Sequence, residues 1–186
     1  MNNIEKQLKE SGFSAMGLMY FLYMTAFVVL GYVPSWARVI ISILFVVAWL
    51  GVALGFAIEY SNKKNLIDLV IAGAFAMVGI LMAFTSISFI DDFIRNLLGQ
   101  NYEALFIIKD VVATIGLAIW AIKLWKSNFI ACALVVLSIL GLWFGAPIIE
   151  WFMGKCGLGM DMTYGAVYFV YAILSAMKAV SAHLAE

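Results

Sequence analysis

Four residues within one apolar stretch are the first candidates for chemistry. Glu103, Asp110 and Thr114 are seven and four positions apart, which places them on one stripe of a helix. Such a stripe offers oxygen atoms to a cation that enters from the nearer end of the helix. Lys109 carries the opposite charge, and the turn of about 100° between neighbouring helix positions predicts that it does not pair with Asp110. The stripe predicts either a cation pathway or, with Lys109 neutralising an acid elsewhere, a structural ion pair.

The residue sets of common catalytic and metal sites are absent from the sequence. His183 is the only histidine, and Cys132 and Cys156 stand 24 positions apart, so no CxxC pair and no bis-histidine haem site can form from this chain. There is no GxGxxG, Walker A or HExxH motif. Eleven basic residues balance eleven acidic ones, which gives no field to attract nucleic acid. We therefore expect no enzyme activity, no cofactor, no metal and no nucleic-acid partner.

The composition predicts an all-α protein embedded in a membrane. Hydrophobic residues make up 66% of the 186 residues and charged residues only 12%, whereas a soluble domain is roughly half apolar and a quarter charged. The excess apolar surface has to face lipid, which makes the bilayer the first partner. Six apolar runs are each long enough to cross it as a helix, and they form one domain over residues 1–186. The predicted spans are 14–34, 37–60, 66–90, 102–125, 128–153 and 162–183.

The distribution of lysine and arginine predicts the orientation of the bundle. Seven lysines lie on the side of the N-terminus: Lys6, Lys9, Lys63, Lys64, Lys123, Lys126 and Lys178. Four basic residues lie on the other side: Arg38, Arg95, Lys109 and Lys155. Because positive residues favour the cytoplasmic face, both termini are predicted to lie in the cytoplasm, with the protein in the cell (inner) membrane. Lys178 is expected to extend its stem towards that face.

Two segments outside the spans show helical patterns of their own. The pattern of residues 4–11 predicts a short helix that Gly12 ends, and the alternative is a solvated tail. In the loop 91–98, Phe93 and Leu97 share one apolar face, which predicts an interfacial helix in the headgroup plane. The alternative for this loop is a simple extension of the third span.

A similar motif occurs in the second and fifth spans. In span two, Gly51 and Gly55 are followed by Glu59 at the exit of the span. In span five, Gly141 and Gly145 are followed by Glu150 at the exit. Since the two spans run in opposite directions, a three-plus-three inverted repeat would produce this pattern. The alternative is that the glycines allow close approach of neighbouring helices, which is the common use of GxxxG.

Three functions remain open on these grounds. The first is a membrane subunit of a larger transport or secretion assembly, structural or pore-lining, with other membrane chains or further copies as partners. The second is a self-sufficient channel or transporter for an ion or small solute, supported by the Glu103, Asp110 and Thr114 stripe. The third is an enzyme acting on lipids or quinones, for which no catalytic residue set is present.

Overall fold

A computed structural model describes residues 3–157 and 159–185, and the regular structure in these ranges is helical throughout. There are eight α-helices, and a 3₁₀ turn (Gly99–Glu103) leads into the fifth, while a π-helical segment (Gly141–Gly145) follows the sixth. The helices are α1 (Ile4–Leu30), α2 (Ser35–Lys63), α3 (Leu66–Ser86), α4 (Ser88–Leu98), α5 (Ala104–Trp125), α6 (Phe129–Leu140), α7 (Ala146–Lys155) and α8 (Met160–Leu184).

Five helices are long and apolar enough to cross a membrane, and a bent pair makes a sixth if it is counted as one span. That pair, Phe129–Gly145 with Pro147–Lys155, bends by 41°. The bend has a local cause, because the α-helical ladder widens to π geometry at 141–145 just before Pro147, which has no backbone N–H to donate. The predicted span 128–153 is therefore a broken helix.

The long helices form a closed ring in chain order. Helix α1 packs on α2, α2 on α3, α3 on α5, α5 on α6, α6 on α8, and α8 returns to α1. Short connections join consecutive helices, so neighbours run antiparallel. One end of the ring, here called the amino end, holds the start of α1, the α2–α3 and α5–α6 turns and the end of α8. The opposite end is called the far end.

Helix α1 is one continuous helix from Ile4, so the prediction of a separate short helix ended by Gly12 is wrong. A Cβ atom at Gly12 would lie 2.8 Å from the Ala48 carbonyl oxygen of α2. The glycine is therefore explained by close approach of two helix backbones rather than by chain termination.

At the far end, α4 is a helix distinct from α3. The backbone of Ile87 is extended (ψ 110°) and separates the two helices. Asp91 of α4 accepts hydrogen bonds from the Tyr102 hydroxyl and from Arg95. Phe93 and Leu97 are exposed side by side on the outer face of α4, as the amphipathic pattern predicts.

The four motif glycines lie in different surroundings. A Cβ at Gly55 would meet the Glu5 carbonyl oxygen of α1 at 2.8 Å, and one at Gly141 would collide with Leu174 of α8. A Cβ at Gly145 would make only an ordinary contact, 3.7 Å from Val170, and a Cβ at Gly51 would meet no packing partner within 4 Å among the described residues. Close packing through glycine thus occurs at one position of each motif, and the expectation for Gly51 is corrected.

Candidate functional site

The lumen of the ring contains a cavity of about 150 Å³. Every long helix of the ring contributes to its wall, and the ends of the cavity are marked by charged residues. Its lining comprises Tyr20, Trp49, Val78, Met82, Lys109, Asp110, Ala113, Leu117, Ser138, Leu142, Tyr171, Leu174, Ser175 and Lys178. A protein cavity of about this volume holds a ring the size of benzene. The wall combines apolar and aromatic side chains with three charged residues and two serines, and convergent polar groups in an apolar surround are a feature of small-molecule sites.

Lys178 of α8 points into this lumen. Its Nζ atom lies 5.7 Å from the centre of the Phe13 ring and 5.9 Å from that of Trp49, within range of cation–π attraction. Among the residues that the structure describes, Lys178 forms no ion pair. The expectation that it extends to the membrane face is corrected, because its position on α8 faces the ring interior.

Ser175 lies one helical turn before Lys178 on the same face of α8. It is fully buried, and its Oγ atom has no hydrogen-bond partner within the described part of the chain. Leaving a buried hydroxyl unpaired costs about 1–3 kcal/mol. The other serine of the cavity, Ser138, donates to the Val135 carbonyl at 2.7 Å and is satisfied. Ser175 is thus the one lining serine with an unused donor.

The predicted stripe on α5 is only partly assembled at the cavity. Asp110 lines it, but Glu103 is exposed and lies outside it. The Thr114 hydroxyl donates to the Asp110 carbonyl oxygen at 2.8 Å and accepts from Trp143 Nε1 at 2.8 Å, so it is already engaged. Lys109 Nζ lies 3.7 Å from Asp110 Oδ1. The prediction that these two neighbours do not pair is therefore wrong, because the long lysine stem curls back towards the aspartate.

Below the cavity, at the amino end, lysines from three helices converge on Glu59. Its carboxylate accepts from Lys9 of α1 at 2.7 Å, from Lys63 of α2 at 2.8 Å and from Lys123 of α5 at 2.7 Å. Lys123 also pairs with Asp68 of α3. We call this set, together with Glu5 and Asn62, the amino-end cluster; Asn62 donates to Glu5 at 2.7 Å.

The amino-end cluster is electrically balanced and mostly buried. Three lysines face three carboxylates, and Lys9, Glu59 and Asp68 are each 5% exposed or less. Charges are tolerated at this depth only because they are paired and hydrogen-bonded. Asp68 Oδ2 is the exception, since it has no partner among the described residues. Glu150, the motif counterpart of Glu59, is exposed and belongs to no such cluster.

Four aromatic rings form a layer between this cluster and the cavity. Phe13 stacks on Trp120 at 5.5 Å, and Phe56 contacts Phe75 at 5.6 Å, with all four rings 1% exposed or less. Along α1, the amino-end cluster lies at the level of Lys9, the aromatic layer at Phe13 and the cavity at Tyr20. At a rise of 1.5 Å per residue, Phe13 lies about 6 Å beyond Lys9, and Tyr20 about 10 Å beyond Phe13. The lumen is therefore closed at the amino end by two successive layers.

Closure at the far side of the cavity is weaker. The Asp110 side chain is 43% exposed and that of Lys109 20% exposed, compared with 6% for Lys9 and Glu59. The cavity thus lies nearer to accessible surface at the level of Asp110 than at the level of the cluster.

The amino-end cluster was not predicted from the sequence. Its members lie near the ends of different spans, where charges are common at a membrane interface. Only the contacts of α2 with α1 and α3, and of α3 with α5, bring them to one point.

No protein-family model matches the chain, and neither a curated protein nor a solved structure shows a significant match to it.

Proposed function

We propose that this multi-pass membrane protein is a self-sufficient transporter for a small solute. The observation that carries the proposal is the partly polar cavity in the lumen, to which all the long helices of the ring contribute. A helix ring with a purely structural role would gain stability by filling this space with side chains. A cavity with a lysine, a lysine–aspartate pair and an unpaired serine instead offers binding groups.

The two-layer closure at the amino end supports a carrier rather than an open pore. Alternating access requires a site that is shut on one side while the other side is less obstructed. The aromatic layer and the amino-end cluster supply the shut side. In this proposal the chain reaches its second state when the ion pairs between α1, α2, α3 and α5 separate.

We further propose that the bent pair α6 and α7 acts as one span, which makes six, and that the amino end faces the cytoplasm of the cell membrane. Of the seven lysines on that side, Lys9 and Lys123 are in ion pairs and largely buried, Lys178 lies in the cavity, and Lys63 is paired with Glu59 but 53% exposed. Four remain for the surface, against Arg38, Arg95 and Lys155 at the far end. The adjacent pair Lys63 and Lys64 in the α2–α3 turn is the strongest part of this asymmetry.

The cation pathway along α5 has less support than the central cavity. Of its three members only Asp110 lines the lumen, and the Thr114 hydroxyl is engaged by Trp143. A path that uses Asp110 alone would also have to pass Lys109 at 3.7 Å.

Uptake into proteoliposomes tests the proposal. A panel of labelled solutes of about six to ten non-hydrogen atoms, neutral, anionic and cationic, is offered to vesicles containing the purified chain. Ala113 lines the cavity and is buried, so Ala113→Phe should block uptake. Ile115 lies two residues on and is 50% exposed on the outside of the ring, so Ile115→Phe is the matched control.

Uptake by the wild type and by Ile115→Phe, but not by a folded Ala113→Phe, is the expected result. Absence of uptake for every class of solute in the wild type would refute a self-sufficient transporter.

The second candidate is a subunit of a larger transport or secretion assembly. It is favoured by the short connections between helices, which leave little described protein outside the spans for an independent function. Purification from native membranes in mild detergent, followed by mass measurement, tests it. A stable complex with other chains supports the subunit role, and a pure homo-oligomer or monomer opposes it.

A further inference from the structure

We propose that the cavity binds a small organic monoanion, with the carboxylate held by Lys178 and Ser175. This inference rests on the proposed function and deepens it by naming the class of solute.

Among the charged residues of the lumen, Lys178 differs from Lys109 and Asp110. Lys109 and Asp110 offset each other at 3.7 Å, whereas Lys178 has only aromatic rings beside its ammonium group among the described residues. The cavity lining thus contains one lysine that has no carboxylate partner among the described residues. A lysine held away from bulk water gains most from a counter-ion that enters the cavity with its solute.

The second donor in the lumen is Ser175. It precedes Lys178 by three residues, so both side chains leave α8 on one face and reach the same part of the lumen. Its Oγ–H is buried without a partner, and it can donate to one carboxylate oxygen while the lysine donates to the other. Lys178 and Ser175 can thereby offer one donor to each of the two oxygens of one carboxylate.

The remaining wall selects the body of the ligand. Beside the two donors, apolar side chains such as Trp49, Leu117 and Leu174 surround the lumen, while the other charged residues of the lining, Lys109 and Asp110, pair with each other. The volume of about 150 Å³ suits a ring or a short chain attached to the carboxylate. A second negative charge would find only Lys109, which Asp110 already occupies. Monoanions should therefore be preferred to dianions.

Binding of benzoate to the whole purified chain in detergent tests this assignment. Benzamide is the control ligand, because it has nearly the same shape without the charge. By isothermal titration calorimetry the wild type should bind benzoate more tightly than benzamide. Lys178→Met, which keeps the stem and removes the charge, should weaken benzoate binding about 10- to 100-fold and leave benzamide unchanged.

Two further variants secure the interpretation. Lys126→Met removes an exposed lysine at the amino end and should bind benzoate like the wild type. If Lys178→Met does not fold, Ser175→Ala serves in its place, because it removes only the buried hydroxyl; a weakening of about 5-fold or more for benzoate alone is expected.

Benzoate binding that is equal in wild type, Lys178→Met and Ser175→Ala, or a wild type that prefers benzamide, would overturn the anion assignment. So would a wild type that binds neither probe. Uptake of neutral or cationic solutes that Ala113→Phe still blocks would leave the transporter proposal standing. Loss of both binding and uptake in the wild type would remove the two together.

Discussion

The Lys9 ammonium donates a hydrogen bond of 2.7 Å to Glu59 Oε2, and both side chains are buried although they lie 50 positions apart in the chain. The same carboxylate also forms ion pairs with Lys63 and Lys123. Glu59 therefore joins α1, α2 and α5 at one end of the ring, and three lysines share its single negative charge. The stability of the fold and, in the proposed transporter, the closure of the amino end should both depend on Glu59.

Replacing Glu59 by glutamine should destabilise the protein strongly. Lys9 would lose its only carboxylate partner among the described residues, whereas Lys123 would keep Asp68 and Lys63 could turn to solvent. Removing one partner of a buried ion pair costs about 3–5 kcal/mol. The measurement is the unfolding midpoint of the purified chain in detergent, followed by circular dichroism.

Glu150→Gln provides the matched control, because Glu150 occupies the corresponding place in the second glycine motif but is exposed. It should unfold like the wild type. Equal midpoints for Glu59→Gln and the wild type would show that the amino-end cluster does not support the fold.

The two glycines of the first motif should respond in opposite directions to alanine. A Cβ at Gly55 meets the Glu5 carbonyl at 2.8 Å, so Gly55→Ala should cost about 1–3 kcal/mol through overpacking of α1 against α2. A Cβ at Gly51 would meet no packing partner within 4 Å among the described residues. Gly51→Ala should therefore be neutral or stabilise the protein by up to about 1 kcal/mol through helix propensity. Thermal unfolding of both variants in one detergent checks the contrast. Equal destabilisation by both would contradict the packing described for α2.

The orientation can be tested with the two native cysteines. Cys156 is exposed at the far end of the ring, and Cys132 is buried in α6 near the amino end. With the termini in the cytoplasm, an impermeant maleimide added to intact cells should label Cys156 and leave Cys132 unlabelled. A Cys156→Ser variant identifies the labelled site. Reaction of Cys156 only after the cells are permeabilised would place the amino end outside.

Helix α4 is predicted to lie at the membrane interface. Phe93 is 66% exposed on its apolar face, so a tryptophan placed there should enter the acyl boundary and be quenched by brominated lipids. Asp92→Trp, on the adjacent polar side, is the control and should be quenched less. Equal quenching at both positions would indicate that α4 does not rest on the membrane through this face.

Composition and periodicity were sufficient to predict an all-helical membrane protein. Lipid cannot hydrogen-bond a bare backbone, so long apolar runs have to become helices wherever they occur. The ends of α2, α3, α5 and α8 follow within a few residues of the predicted limits for that reason. The prediction of α4 also needs only local information, because its amphipathic pattern is contained in seven or eight consecutive residues.

Tertiary structure alone decided which polar groups meet. Lys178 was expected to reach the membrane face, and no contact among Lys9, Glu59, Asp68 and Lys123 was predicted. A helical pattern tells which residues share a face of one helix, but it does not tell which neighbour that face meets. The ring order of the helices turns Lys178 towards Phe13 and Trp49 and brings the other four to one point. Helix α1 shows the same limit, because whether Gly12 ends a helix or admits a neighbour depends on the position of Ala48 in α2.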